Sequence, residues 1–330
     1  MFDRRASGRE VALSAGDYRA RIVSVGAGLA GLTYRGHELI VPHDADECPP
    51  AYLGKVLMPW PNRVAGGSYS WEGASYCLPV DEPELGTALH GFVAFQEWEI
   101  VEAEKASVLL RTLIAPRYSY PWTLVASARY HLDADRGLLI KLSATNVGRG
   151  TAPFGVGFHP YLAASGARAD ELELTIPADI AYDADEHLIP VAARDVASLG
   201  LDFRTPRIIA STRLDHAFAG LPEGTWSVTL RDPASGVGTS LSSDARWLQV
   251  YSADDIGRVG VAVEPMSCPP NAFNSGTDLV GLGPGQSYAL TASIRGSPSP
   301  ASSCPRRRGS GSGRPPRPWR NAARVRLGPP

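Results

Sequence analysis

Leu124-Val-Ala-Ser-Ala-Arg-Tyr-His-Leu132, Asp133-Ala-Asp-Arg-Gly137 and Leu138-Leu-Ile-Lys-Leu-Ser-Ala-Thr-Asn146 follow one another in the chain. In the outer two segments every second residue is apolar, the period of a half-buried antiparallel strand. The middle segment concentrates Asp and ends in Gly, which is turn chemistry. The three together predict a β-hairpin. The same period recurs in Tyr18-Arg-Ala-Arg-Ile-Val-Ser-Val25 and Ser107-Val-Leu-Leu-Arg-Thr-Leu-Ile114, and again in Leu172-Glu-Leu-Thr-Ile176 and Trp226-Ser-Val-Thr-Leu-Arg231. It returns in Trp247-Leu-Gln-Val-Tyr251 and Tyr288-Ala-Leu-Thr-Ala-Ser-Ile294, and Asp232-Pro-Ala-Ser-Gly236 reads as a further turn. Residues 195–200 suggest a single helical turn; no long stretch carries a helical stripe. Many strands with no helices between them predict an all-β fold of stacked antiparallel sheets, a large β-sandwich.

Composition divides the 330 residues unevenly. Formal net charge is −2, yet residues 296–330 hold eight Arg and no Lys, Asp or Glu, which leaves −10 on residues 1–295. An acidic body lacks the basic stripe of a nucleic-acid grip, so no nucleic acid is expected as partner. Residues 296–330 are rich in Pro, Gly, Ser and Arg, and are expected to be a disordered tail because they bury too little apolar surface to offset ordering. Cys48, Cys77, Cys268 and Cys304 form no C-x-x-C pair and read as free thiols. The N-terminal residues have charges but no apolar stretch behind them, so no secretory signal is expected. No window reaches the roughly 18 apolar residues of a membrane span, and a cytoplasmic protein with no membrane partner is expected. Gly26-Ala-Gly-Leu-Ala-Gly31 fits the spacing of a dinucleotide loop, but Leu32-Thr-Tyr34 continues as strand where a helix is required.

Five clusters carry candidate chemistry. In Met58-Pro-Trp-Pro-Asn-Arg63, two prolines stiffen a loop that aims Asn62 and Arg63. Thr87-Ala-Leu-His90-Gly91 offers an imidazole beside a glycine. Phe154-Gly-Val-Gly-Phe-His159-Pro-Tyr161 holds a second imidazole between apolar neighbours, with an ordinary pKa near ~6.5 that suits proton transfer. Val261-Ala-Val-Glu264-Pro-Met266 is an apolar strand that ends in a carboxylate and runs into a Pro-rich loop, a place where a buried charge is costly unless used. Arg213-Leu-Asp215-His-Ala-Phe218 is the fifth, with Asp215 placed to accept from hydroxyls. His37, His43, His131 and His187 read as surface residues.

In this order and spacing the five clusters resemble the galactose mutarotase (aldose 1-epimerase) family, in its bacterial branch, over about residues 10–295. The resemblance implies a galactose mutarotase-like supersandwich that holds a monosaccharide in an open groove and turns it over with no cofactor and no metal. It implies that Glu264 is the general base and His159 the general acid. It also implies that Arg63 and His90 hold sugar hydroxyls and the ring oxygen, and that Asp215 is a sugar-binding carboxylate. The chain departs from the family where Thr291-Ala-Ser-Ile-Arg295 lacks an aromatic residue, and the Arg-rich tail has no family counterpart. A non-catalytic carbohydrate-binding protein, a hexose-phosphate epimerase and a metal site at His90, His159 and Glu264 are the competing readings. Only Lys55, Lys105 and Lys141 stand in the body as lysines for a phosphate.

Overall fold

The computed structural model describes residues 5–297. The hairpin forms as its period demands. Leu124–Asp133 pairs antiparallel with Gly137–Asn146 from Leu124↔Asn146 to Asp133↔Gly137. Leu124, Ala126, Ala128, Tyr130 and Leu132 face inward and are buried, as are Leu138, Ile140, Leu142 and Ala144. Asp133 closes the turn by accepting from the backbone N–H groups of Asp135 and Arg136, both at 2.9 Å.

The hairpin sits inside a nine-stranded sheet. On one side Ser107–Ile114 and Glu99–Ala103 extend it. On the other Ser287–Ser297, Gly238–Ser243 and Trp226–Arg231 continue it to Glu173–Thr175 and Arg207–Ile208. An eight-stranded sheet packs against it, with Val261–Met266 in its interior. Side chains of both sheets join one apolar core, in which the rings of Tyr130 and Phe158 lie 6.3 Å apart. A four-stranded sheet begins with Glu10–Ala15 and includes Gly28–Tyr34. Tyr130 ties it to the core by donating its hydroxyl to the Ala27 carbonyl at 2.6 Å. The glycine-rich segment at residue 26 therefore feeds a strand, as expected from the sequence.

Among the described residues the helices are one four-residue α-helix and three single 3-10 turns, and no helix is long and apolar enough to cross a membrane. Residues 195–200 differ from expectation. They form hydrogen-bonded turns, with Ser198 N–H on the Asp195 carbonyl and Leu201 N–H on the Val196 carbonyl, because the segment caps a strand and doubles back. The final strand runs to Ser297, two residues past the boundary drawn at 295. The rest of the Arg-rich tail, with Cys304, lies outside the described residues. Cys48, Cys77 and Cys268 are free thiols.

Candidate active site

The register of the eight-stranded sheet decides which side chains meet. Gln249 stands opposite Glu264, Ala217 opposite Gln249, and Asp215 opposite Tyr251. Residues paired across strands share a face, and so do residues two apart along a strand. Glu264, Gln249, Ala217, Asp215 and Tyr182 therefore line one face. Val263, Val250, Leu248 and Phe218 point the other way into the core. Gly157 pairs with Met266 and Tyr161 with Ala262, so His159, midway between them, lies over the same face as Glu264.

Every residue of Val261–Met266 is buried, because the strand is covered on both faces. Glu264 is 2% exposed and His159 5%. Their contact is His159 Nε2 to Glu264 Oε1 at 3.4 Å. Glu264 lies inside the strand rather than at its end, which corrects the sequence reading. Pro265, which cannot donate to a ladder, is accommodated because Tyr161–Leu162 has already paired with residues 261–262 and Gly157 pairs only at Met266.

Loops bring in the rest. The His90 ring lies 5.1 Å from the His159 ring, edge to face, and Tyr52 approaches both. Asn62, His90, Tyr52 and Asn271 all have φ between 55° and 62°. That region is costly for residues other than Gly, and such strain collects at functional sites. Here it turns Asn62 so that its backbone N–H donates to His90 Nδ1 at 3.1 Å, while the His90 N–H donates to the Asn62 carbonyl at 2.9 Å. Arg63 makes a bidentate pair with Glu82, Nε to Oε2 at 2.8 Å and Nη2 to Oε1 at 3.0 Å. Thr87 adds a hydroxyl to Glu82 at 2.6 Å. Gln249 Nε2 donates to Asp215 Oδ1 at 2.6 Å. The structure thus gathers all five expected residues, Arg63, His90, His159, Asp215 and Glu264, around one face.

Burial dominates the electrostatics. It drives the Glu264 carboxyl well above its ordinary range, and the nearby Asp215 carboxylate adds to this while Arg63 opposes it. Burial drives His159 down to about 3. It also holds His90 well below its usual value, with His159 and Arg63 adding repulsion. Desolvation raises Asp215, against the pull of Arg63 and the Gln249 hydrogen bond. Burial thus disfavours the charged form of the Glu264 carboxyl and of both imidazoles. Three buried polar atoms here have no partner among the described residues: Glu264 Oε2, His159 Nδ1 and Gln249 Oε1. Buried polar atoms are normally satisfied, and these three face the same side of the sheet.

Ligand atoms of His90, His159 and Glu264 lie within 4.8 Å of one another, the spacing of a metal centre. The tautomer of His90 argues against that use. Its Nδ1 lone pair accepts from Asn62, so in the neutral ring Nε2 carries the hydrogen and has no lone pair for an ion. His90 is instead a donor into the site. A larger depression of about 370 Å³ lies on the solvent side of the nine-stranded sheet, against Arg129, Lys141 and Asp244. Its carboxylate is already taken by Thr291, through N–H at 3.0 Å and hydroxyl at 2.7 Å.

Two residues beside the candidate site escaped sequence analysis. Gln249 was read as the polar side of a half-buried strand, yet it is buried between Trp247 and Tyr251 on the site face. A lone amide flanked on its own face by two aromatics was the available signal. Tyr52 ends the three-residue 3-10 turn Pro50–Tyr52, too short to give a periodic signal. His43 is a correction of another kind. It is buried rather than on the surface, because its N–H binds the Ala30 carbonyl and its own carbonyl is held by Arg21. His37, His131 and His187 are exposed as expected.

With the geometry in place, comparison with known proteins is direct. The aldose 1-epimerase family model matches residues 9–295. The chain is 45% identical to the uncharacterized protein YihR of Escherichia coli strain K12, over 88% of this chain and 94% of that one. Its fold is shared with the GalM/aldose epimerase homologue from C. elegans, at TM-score 0.79 and 20% identity, over 88% of this chain and 98% of that one. Galactose 1-epimerase from Lactobacillus acidophilus shares it too, at TM-score 0.74 and 20% identity, over 86% and 92% of the two chains. The stacked antiparallel sheets are therefore the galactose mutarotase-like supersandwich, and the chain belongs to the aldose 1-epimerase family.

Proposed function

We propose that this protein interconverts the α and β anomers of a free aldohexose by acid–base ring opening and closure. The observation that carries the reading is the buried His159–Glu264 contact at 3.4 Å, which sets an imidazole and a carboxyl side by side. In ring opening one group takes the proton of the C1 hydroxyl while the other protonates the ring oxygen. The C1–O5 bond breaks and a C1 carbonyl forms. Rotation about C1–C2 presents the other carbonyl face, and the same two transfers in reverse close the ring.

Glu264 acts as base at O1 and His159 as acid at O5. Burial disfavours the charged form of each group, and a proton passed from Glu264 to His159 across the 3.4 Å contact makes the working ion pair. Sugar hydroxyls that reach Glu264 Oε2 and His159 Nδ1 supply the hydrogen bonds that favour the charged form. Each positioned transfer contributes about 10²–10⁴-fold. His90 donates from Nε2, and Asp215 with Gln249 accepts from ring hydroxyls. Arg63 is already neutralised by Glu82, which suits an uncharged sugar and leaves no spare counter-charge for a phosphate.

The test is anomer exchange on freshly dissolved α-D-glucose and α-D-galactose, by polarimetry. Acceleration over the buffer rate is the expected result. A rate equal to buffer on both sugars would favour a binding protein without turnover.

A further inference from the structure

Of the lysines in the chain, Lys105 and Lys141 are exposed, while Lys55 is wholly buried at 0% exposure. A buried ammonium is costly unless it is paired. Lys55 makes no ion pair among the described residues, and its side chain is held by a hydrogen bond from Nζ to the Val25 carbonyl at 2.8 Å. Burial lowers its pKa to about 8, which still leaves it charged at neutral pH.

The glycine-rich segment whose spacing mimics a dinucleotide loop is shaped around this side chain. A β-carbon at Gly26 would stand 2.7 Å from Lys55 Cδ, and one at Gly28 would stand 3.5 Å from Lys55 Nζ. Gly26 also has a φ of 73° and would bring a β-carbon within 2.2 Å of the Ala94 carbonyl.

What the ammonium holds is the segment 54–56. Val56 N–H donates to the Gly26 carbonyl at 3.1 Å, and Leu29 N–H donates to the Gly54 carbonyl at 2.9 Å. On its other side the segment clasps His159. The His159 N–H donates to the Lys55 carbonyl at 3.0 Å, and Gly54 N–H donates to the His159 carbonyl at 2.9 Å. Lys55 N–H closes the preceding turn on the Tyr52 carbonyl at 3.0 Å, and the Tyr52 ring lies against both His90 and His159. The imidazole that meets Glu264 at 3.4 Å therefore hangs from the backbone of a residue whose own side chain is tied to Val25.

We propose that Lys55 is a positioning residue: its ammonium, anchored on the Val25 carbonyl, fixes the backbone that holds the His159 imidazole over Glu264. The side chain makes no hydrogen bond to His159 or Glu264, so it acts through the backbone. The inference rests on the epimerase reading above.

Lys55→Met keeps the bulk of the stem and removes the ammonium. A reacting group displaced by about 1 Å costs about 10²-fold, so kcat for anomer exchange on D-glucose, by saturation-transfer NMR, should fall about 10–100-fold per folded molecule. KM should stay within about threefold, because Arg63 and Asp215 are held by Glu82 and Gln249 rather than by this segment. The imidazole proton signals of His159, assigned by their loss in His159→Asn, should shift or broaden in Lys55→Met. Gly28→Ala serves where Lys55→Met does not fold. Its β-carbon would stand 3.0 Å from Val23 Cγ2 and 3.4 Å from the Val25 carbonyl oxygen, crowding the anchor without touching His159. It should lower kcat about three- to tenfold with KM held. A kcat per folded molecule within about threefold of wild type in both variants, or a fall in kcat matched by a rise in KM, would overturn the positioning role and leave the epimerase standing. Wild type inert toward glucose and galactose would remove the epimerase reading, and unmoved His159 signals in Lys55→Met would overturn the positioning role independently of turnover.

Discussion

The hairpin of Leu124–Asp133 with Gly137–Asn146 and the strand Val261–Met266 are built from the same backbone and serve opposite ends. In the hairpin one face is apolar and buried and the other is polar and wet, so no polar side chain is stranded. In Val261–Met266 both faces are covered and a carboxyl is sealed inside, with Glu264 Oε2, His159 Nδ1 and Gln249 Oε1 left unpartnered around it. Loops in left-handed backbone conformations close over that second region. The contrast teaches that stability is vested in the nine-stranded sheet, which can carry the desolvation and strain held in the other. The proposed site sits where the ordinary rules of satisfaction are broken.

The widest separation between the regions is expected from His159→Asn. It should lower anomer exchange about 10²–10⁴-fold while near-UV circular dichroism and the melting transition stay those of wild type. A matching substitution in the hairpin should do the reverse. Leu142 is fully buried, and Leu142→Ala should cost about 2–5 kcal/mol in urea unfolding with turnover per folded molecule unchanged. A loss of turnover there would break the comparison.

Gln249→Ala sharpens it. The amide orients Asp215 and offers an acceptor, so its removal should lower kcat/KM about 10–100-fold, the worth of a hydrogen bond to a charged group. The loss should appear chiefly in KM. The smallest effect is in stability against pH. Glu264 has a folded pKa above its unfolded value near 4.5, so its contribution is fully present below that pH and is lost as pH rises through the folded value. His159 has a folded pKa of about 3 against 6.5 unfolded, so its contribution is present above 6.5 and is lost as pH falls toward 3. Wild type should thus lose stability above pH 4.5 at up to about 1.4 kcal/mol per pH unit relative to Glu264→Gln, while Leu142→Ala shifts the whole curve by a constant. A parallel pair of curves for wild type and Glu264→Gln would show that Glu264 does not bear the burial assigned to it.

What the sequence made legible follows the same division. Period two exposed the hairpin to within a residue at each end, because a sheet with one wet face writes its burial into the polarity of alternate residues. Val261–Met266 has two dry faces, so alternation disappears and Glu264 looked like the end of a strand. The five candidate residues, which the fold brings together, stood out through the clusters around them, since glycine and proline mark where backbone is bent to serve a side chain. Gln249 was hidden for the opposite reason: a polar residue at a polar position of the period attracts no notice unless its aromatic neighbours are weighed. His43 was misplaced because its burial comes from long-range backbone contacts to Ala30 and Arg21, which local composition does not encode.

The central claim is that the buried His159–Glu264 pair performs the exchange. Saturation-transfer NMR on α- and β-D-glucose, with wild type and Glu264→Gln compared at equal folded concentration, tests it most directly. The account predicts rapid exchange with wild type and a loss of about 10²–10⁴-fold in the variant, with the melting temperature no lower. A variant that exchanges anomers within a few-fold of wild type would contradict it.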